Sequence, residues 1–381
     1  MHDKKIKVLY LISNLGAGGA ETMLYKLLTR EDKRNFVSTV VSLTTVDSIG
    51  KKIEKLGIKV YSLGINNKLF FWLALMRLIR IIEEFRPNIL VAYMCHAYFV
   101  ASIVSIFFKK LRIIWNIRQL DMDARINRWT TRAIIKICSY LSKYSPCRIV
   151  YCAQSGARFY ESIGYDSSKT IVLSNGFDLS IFKPDASKYV AFRKQLGLKE
   201  GVLVVGIVAR FNVAKDYHTF IQAATLVARQ MENVVFVCCG HNVDWKNVVL
   251  SQWIKEMTLE KKVYLFGLCN EVQDIMVAFD ILVSSSISEA FSNVIGEAMS
   301  CGVPCVATDV GDSSIIIGNK DYIVPPQRPE LLAQAIIKIL HMNNEERKLL
   351  QVAVRERIAQ RYSLVRVVEQ YENLYYQMIN S

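Results

Sequence analysis

In SEAFSNVIGEAMSCGVPCVAT (288–308), Glu289 and Glu297 stand eight positions apart. Carboxylates so placed accept hydrogen bonds well, and hydroxyl groups are their natural donors. Glu297 lies in NVIGEAMS, which reads as a short helix with Ser292 or Asn293 as its cap and Gly302 as its stop. The start of such a helix presents free N–H groups to an anion. Upstream, VLVVGIVARFNVAKDYHTF (202–220) carries Arg210 where a strand ends and Lys215 just before a helix, with Asp216 placed to cap it. Two cations there suit a diphosphate. Near the N-terminus, NLGAGGAE (14–21) places Gly16, Gly18 and Gly19 between a strand and a helix, where backbone can approach a ligand closely.

Each feature alone has an ordinary structural reading. Glu297 falls opposite the face formed by Val294, Ile295, Ala298 and Met299, aligned with Asn293 and Ser300, and can be a solvated helix residue. Glu289, Arg210 and Lys215 can be loop charges. The glycines can serve a tight turn, and their spacing is not G-x-G-x-x-G, so a nicotinamide site is poorly supported. Together the groups ask for more. A ligand carrying both phosphates and hydroxyls, such as a sugar joined to a nucleotide diphosphate, satisfies the amides, the cations and the two carboxylates.

These residues need strand ends and helix starts to position them, and the chain supplies both. Apolar runs at 6–13, 37–43, 59–63, 89–94, 112–118, 148–154 and 170–174 alternate with helix-length segments. SNGFDLSIFKPD (174–185) then interrupts the pattern with Gly, Asp and Pro and reads as a linker. A second series follows at 202–209, 234–239, 263–266, 281–285, 303–308 and 321–324. Alternating strands and helices predict parallel sheets covered on both faces. The fold class is therefore α/β, as two doubly wound Rossmann-like domains, 1–178 and 179–361, with ligands expected at strand carboxyl ends in the cleft between them. The aromatic-rich C-terminal segment from 362 to 381 is expected to be a helix that packs back on the N-terminal domain.

Composition narrows the class. Hydrophobic residues make up 52% of the 381-residue chain and charged residues 22%, which supplies large cores and argues against disorder. The net charge of +14 is uneven: residues 1–184 hold 28 Lys and Arg against 13 Asp and Glu, and residues 185–381 hold 20 against 21. The basic first half also carries LFFWLALMRLIRII (69–82), which predicts contact with an anionic membrane surface; a core helix with a solvated basic face is the simpler reading. No nucleic-acid motif is present, so nucleic acid is not expected as a partner. The longest apolar candidate, AYFVASIVSIFF (97–108), is too short to span a bilayer. The start of the chain does not read as a signal peptide, and nine cysteines without zinc spacing suit a reducing cytoplasm, with Cys238 and Cys239 as core residues.

The motifs also resemble a known family. SEAFSNVIGEAMSCGVPCVATDVG is similar to the E-x7-E signature of the family 4 glycosyltransferases, which are retaining, nucleotide-sugar-dependent enzymes of the GT-B fold. NLGAGGAE resembles that family's glycine loop, ARFNVAKD its diphosphate-binding Arg/Lys pair, and SNGFDLSIFKP its interdomain linker, in the expected order from residue 14 to about 311. The resemblance implies that Glu297 holds the ribose and Glu289 the donor sugar. It implies that the backbone around Phe291, Ser292, Asn293 and Val294 meets sugar and phosphate. Arg210 and Lys215 would neutralise the departing diphosphate, with Gly18 and Gly19 lining the cleft opposite. It implies a UDP- or GDP-sugar donor as substrate, a glycan or lipid-linked acceptor, and no cofactor or metal. Asp121 and Asp123 form a D-x-D, a metal-binding pattern in another glycosyltransferase fold, but no companion feature supports it and they read as loop carboxylates. Many relatives place a His where WNIRQLD (115–121) has Arg118, which cannot act as a base but can bind a phosphate or acceptor. His96 is a second cleft candidate, although a lone His near an apolar run is more often structural.

The expectation is thus a cytoplasmic, peripherally membrane-bound transferase building bacterial surface polysaccharide. The rival expectations are a nucleotide-sugar epimerase of the same fold and a non-catalytic glycosyltransferase-like subunit.

Overall fold

The computed structural model describes residues 5–16, 18–65, 71–118, 129–269 and 271–380. The chain forms two compact units, one from Met1–Gly176 with Leu364–Ser381 and the other from Phe177–Ser363. The division falls inside SNGFDLSIFKPD, where Gly and Pro break the helical and strand patterns.

The first unit runs β1 (Ile6–Ile12), α1 (Gly19–Arg30), β2 (Phe36–Ser42), α2 (Ser48–Glu54), β3 (Lys59–Ser62), α3 (Phe71–Phe85), β4 (Ile89–Tyr93), α4 (Cys95–Phe107), β5 (Arg112–Ile117), α5 (Trp129–Leu141), β6 (Arg148–Tyr151), α6 (Gln154–Ser162) and β7 (Thr170–Val172). Its seven strands are all parallel and ordered β3-β2-β1-β4-β5-β6-β7. The central strands are near-continuous apolar runs because both their faces are covered. One face packs under α1 and α2 through Leu24, Leu28, Ile49 and Ile53. The other packs under α3, α4, α5 and α6 through Leu78, Ala101, Ile135 and Tyr160.

The second unit runs α7 (Ala186–Gln195), β8 (Leu203–Val208), α8 (Tyr217–Gln230), β9 (Val234–Cys239), α9 (Val248–Glu256), β10 (Val263–Leu265), α10 (Val272–Met276), β11 (Ile281–Ser284), α11 (Asn293–Ser300), β12 (Cys305–Thr308), α12 (Ser313–Ile317), β13 (Ile323–Val324), α13 (Pro329–Leu340) and α14 (Asn344–Tyr362). Its six parallel strands are ordered β10-β9-β8-β11-β12-β13.

The last helix, α15 (Leu364–Asn380), belongs to the first unit. Leu364, Val367, Val368, Tyr371, Leu374, Tyr375 and Met378 form its buried stripe at the spacing of one helix face. That stripe joins the core on the α1 side of the sheet. Each such side chain contributes about 1.5–3 kcal/mol on leaving water.

In each sheet the strand order reverses once, between β1 and β4 and between β8 and β11. Chain segments that leave neighbouring strands in opposite directions at such a point open a crevice at the carboxyl ends, and ligands of doubly wound sheets bind there. The glycine loop follows β1. The loops 209–216 and 285–292 follow β8 and β11.

Candidate functional site

The second unit gathers most of the charged candidates at its switch point. Ile281 and Leu282 of β11 pair with Val205 and Gly206 of β8, so the loops after these strands emerge side by side. Gly206 has no room for a side chain because the Phe279 ring lies against it. The loops are then tied directly: Ile287 N–H donates to Ala214 O at 2.8 Å, and Ser285 Oγ donates to Lys215 O and Asp216 O at 2.9 and 3.0 Å.

On this frame Lys215 Nζ and Glu289 Oε1 form an ion pair, and Ser286 Oγ donates to the same oxygen at 3.1 Å. The structure thus joins two residues expected from the sequence to face separate partners, a phosphate and a sugar. Both side chains are only partly exposed, at 21% and 14%, which screens the pair less than open solvent would. Lys215 ends a short 3₁₀ turn whose start is held by Asn212, its side chain accepting the Lys215 N–H at 3.1 Å. Asp216 then caps α8, as its place in the sequence predicts, and accepts from Thr219 N–H at 3.2 Å. Arg210 lies exposed just past the end of β8. The chain there rests on Gly240, where a Cβ would collide with Ala209 O.

Glu289 is also held from the far side. Gly311, at φ +59°, packs its backbone on the peptide after Glu289, and a Cβ would lie 2.5 Å from Ala290 O and 2.6 Å from Glu289 O. Asp312 N–H donates to Ala290 O at 3.0 Å, and Thr308 Oγ1 donates to Ser286 O at 2.5 Å. Gly311 and Thr308 lie beyond the residues that sequence reasoning chose. The positive φ that Gly311 requires is legible only from the backbone.

Helix α11 starts at Asn293 with Ser292 as its N-cap, but the Ser292 side chain makes no capping bond. Ser292 Oγ is buried and has no hydrogen-bond partner among the described residues. The first amides of α11 are free of intrahelical bonds by geometry, so this helix start combines the positive end of its dipole with an unused hydroxyl. Phe291 turns its side chain away, stacking on Phe177 at 6.2 Å and meeting Tyr362 edge-on at 5.9 Å, so only its backbone faces the loop. Gly296 allows the Phe177 ring to lie against α11.

Glu297 is half-buried on the second turn of α11. The burial of this helix differs in two places from the face read off the sequence. Ser300 is fully buried, bonding back to Gly296 O at 2.6 Å, and Val294 is partly exposed. The small Ser300 goes inside because its hydroxyl finds a carbonyl one turn back. Burial pushes the Cys301 thiol up to about 12, with the Glu297 carboxylate adding to the shift.

The first unit presents a different set of groups. Gly18 is the N-cap of α1, and Gly19 is its first residue. The Glu21 carboxylate folds back over Gly18, where any Cβ would strike it. Glu21 is 4% exposed, and burial raises its carboxyl above the ordinary range. It is the one ionisable group of NLGAGGAE. Sequence reasoning passed over it because an acidic residue in a first helical turn is also ordinary dipole stabilisation. His96 is exposed on the first turn of α4, with Nδ1 3.5 Å from Cys95 Sγ. The preceding Met94 has φ +71°.

Arg118 is held on two sides, while its Nε–H has no partner among the described residues. It donates to Asn175 Oδ1 and, at 2.6 Å, to Tyr371 OH of α15, and it lies over the Tyr93 and Tyr371 rings at 5.7 and 5.9 Å. Asn116, on the same face of β5, donates to Tyr371 OH at 3.0 Å. The alternation of a strand sends residues 116 and 118 toward α15, while Trp115 goes to the opposite core. Asp121 and Asp123 lie outside the described residues. Among the described residues, no group of three or more His, Cys, Asp or Glu is placed to hold a metal ion.

Comparison with known proteins agrees with the two-part architecture. A model of glycosyl transferases group 1 matches residues 190–356, and one of glycosyltransferase family 4 matches residues 17–181. The chain is 25% identical over 218 residues to UDP-Gal:alpha-D-GlcNAc-diphosphoundecaprenol alpha-1,3-galactosyltransferase of Escherichia coli, covering 56% of each chain. It is 22% identical over 318 residues to the putative glycosyltransferase EpsF of Bacillus subtilis, covering 81% of this chain and 80% of that one. EpsF apart, the chain spans about half the length of the first curated relatives it matches. The crystal structure of Anabaena Alr3699/HepE in complex with UDP superposes with a TM-score of 0.85 at 21% identity, over 98% of this chain and 100% of that one. This last likeness bears on the fold alone.

Proposed function

Because the chain belongs to the family 4 glycosyltransferases and has their GT-B fold, we propose that it is a retaining glycosyltransferase. In this reading it moves a sugar from a nucleotide-diphosphate sugar to a glycan or lipid-linked acceptor in bacterial surface polysaccharide synthesis, at the inner face of the cell membrane. The observation that carries the reading is the joining of Lys215 and Glu289 across two tied loops, beside the start of α11 with its buried, unpartnered Ser292 hydroxyl.

Cleaving a sugar–phosphate bond leaves negative charge on the diphosphate and positive character on the sugar ring. Lys215, Arg210 and the first amides of α11 are positioned to stabilise the former electrostatically, in a setting fixed before the substrate arrives. The proposal therefore assigns the leaving-group charge to protein groups, and no metal is invoked. Glu289 carries a negative charge at the edge of the same site and can exchange its Lys215 contact for sugar hydroxyls. Lys215 is then released toward the phosphates. Glu297, one turn and more along α11, takes the ribose hydroxyls. A UDP-sugar donor is the first to test, since UDP is the ligand named for the Anabaena structure and for the galactosyltransferase relative.

The test is a panel of nucleotide sugars read by thermal shift. A donor that binds the native chain raises its melting temperature by mass action. The expected result is a shift with at least one nucleotide sugar that is reduced in Glu297→Ala and Lys215→Ala. Full transfer activity in both variants would remove this site assignment.

A further inference from the structure

Three neighbouring helices of the first unit leave large apolar side chains in the open. Trp72, Leu73 and Met76 on α3 are 62–70% exposed, Phe107 at the end of α4 61%, and Trp129 at the start of α5 77%. Tyr140, further along α5, is 63% exposed. Scattered apolar residues are normal on any surface, but these share one layer, since α3, α4 and α5 all cover the same face of the sheet.

The charges interleaved with them have nearly one sign. Arg77 and Arg80 follow Met76 on α3, and Lys109 and Lys110 follow α4. Arg132 and Lys136 lie on α5, and neither α4 nor α5 contains an acidic residue. At the amino edge of the sheet the ends of α3 and α4 bound a groove of about 930 Å3. Its wall carries Arg86, Lys109, Lys110 and Arg112 against the single carboxylate of Glu83, and is apolar through Phe107, Phe108 and Ile379 of α15.

We propose that the α3–α4–α5 face docks on an anionic lipid bilayer, with the groove between the ends of α3 and α4 receiving a phosphate headgroup. Aromatic rings with polar edges and long basic side chains are the groups that settle at a membrane interface. Lys109 and Lys110 meet the lipid phosphates while Phe107 beside them enters the acyl boundary. Among the described residues no helix is long and apolar enough to cross a membrane, so the contact is with the surface. A protein partner would need an acidic surface with a matching apolar centre, whereas a bilayer supplies both over any area. The proposal deepens the membrane part of the function proposed above, yet it concerns a surface remote in sequence from the sugar-handling residues.

The test uses the full chain without donor or acceptor. It is sedimented with phosphatidylcholine vesicles, with and without phosphatidylglycerol, at low and high salt. Binding is expected only with the anionic lipid and is expected to weaken with salt. Each basic side chain near such a surface is worth roughly fivefold in binding, so Lys109→Gln/Lys110→Gln should weaken it by about tenfold or more. Trp72→Ser/Trp129→Ser should also weaken it, and that loss should persist at high salt. Lys51→Gln/Lys52→Gln removes the same charge from α2, on the opposite face of the sheet, and should leave binding within about twofold of the parent, given how steeply surface attraction decays. The proposal falls if the parent chain fails to sediment with anionic vesicles at low salt. It falls equally if the α2 variant weakens binding as much as the Lys109/Lys110 variant, or if the tryptophan variant binds unchanged. None of these outcomes depends on whether the chain transfers a sugar.

Discussion

The two units share one plan, a doubly wound parallel sheet with a single switch point, and use its carboxyl edge differently. In the second unit the loops after β8 and β11 hold Lys215, Glu289 and the start of α11 toward that edge. One of its buried carboxylates, Asp280, sits at the amino edge, where it accepts from Val204 N–H at 2.7 Å and pairs with Arg193 and Arg347 at 3.4 Å each. In the first unit Arg118, at the carboxyl end of β5, donates to Tyr371 OH of α15, which covers that side of the sheet.

This contrast can be broken most directly at the Lys215–Glu289 pair. Removal of one preorganised charge-stabilising group typically lowers turnover by 10²–10³-fold. Lys215→Ala and Glu289→Ala should each lose transfer activity on that scale while melting close to the parent. A comparable loss from Arg118→Lys at full stability would show that the first unit's guanidinium also works on substrate.

Tyr371→Phe tests the other half. It deletes the oxygen that accepts from Asn116 Nδ2 and Arg118 Nη2, leaving buried donors unmet. Each such group costs about 1–3 kcal/mol, so chemical denaturation should show a loss of roughly 2–4 kcal/mol. The donor-induced thermal shift, which reports on the second unit, should persist.

A pH series sharpens the comparison within the first unit. Burial raises the Glu31 carboxyl to about 7, although Ser38 Oγ donates to it at 2.6 Å. In the folded chain Glu31 holds its proton up to that pH, whereas in the unfolded chain it releases it near the ordinary carboxylate value. The unfolded state therefore binds fewer protons between those two limits, and stability falls as pH rises through the window. The parent should lose up to about 3 kcal/mol between pH 5 and 8 relative to Glu31→Gln, measured by denaturation at each pH.

Gly311→Ala tests the loop itself. A non-glycine residue at φ +59° costs about 1–3 kcal/mol in backbone strain, the collision of its Cβ with Ala290 O and Glu289 O adds to that, and the Glu289 loop should be displaced enough to weaken donor binding. Equal donor affinity in parent and variant would show that the loop tolerates movement.

Much of the architecture was legible in the sequence, because strands buried on both faces write themselves as apolar runs. The stretches expected at 89–94 and 234–239 are strands at Ile89–Tyr93 and Val234–Cys239. The stops and caps were legible for local reasons. Gly302 adopts φ +77° after α11, and Asp216 caps α8. Less could be read at side chains whose surroundings come from distant parts of the chain. Arg118 and Tyr371 are 253 positions apart, and no local pattern foretells their contact. Helical alignment with Asn293 and Glu297 puts Ser300 on the outer face of α11, whereas in the structure it is buried, its hydroxyl satisfied by the Gly296 carbonyl. Nothing local to NLGAGGAE shows that the Glu21 carboxylate folds over Gly18.

By itself, then, the sequence determined the alternation of strands and helices, the division into two doubly wound units, and the residue types available at each loop. Those follow from short-range periodicity and turn chemistry. Only the tertiary structure decided which loops become neighbours. Strand order, with β11 beside β8, is what brings Glu289 to Lys215 across 74 positions. The return of α15 to the first unit is what brings Tyr371 to Arg118 across 253 positions. Both outcomes depend on long-range closure of the chain, where the burial of whole faces outweighs any local preference.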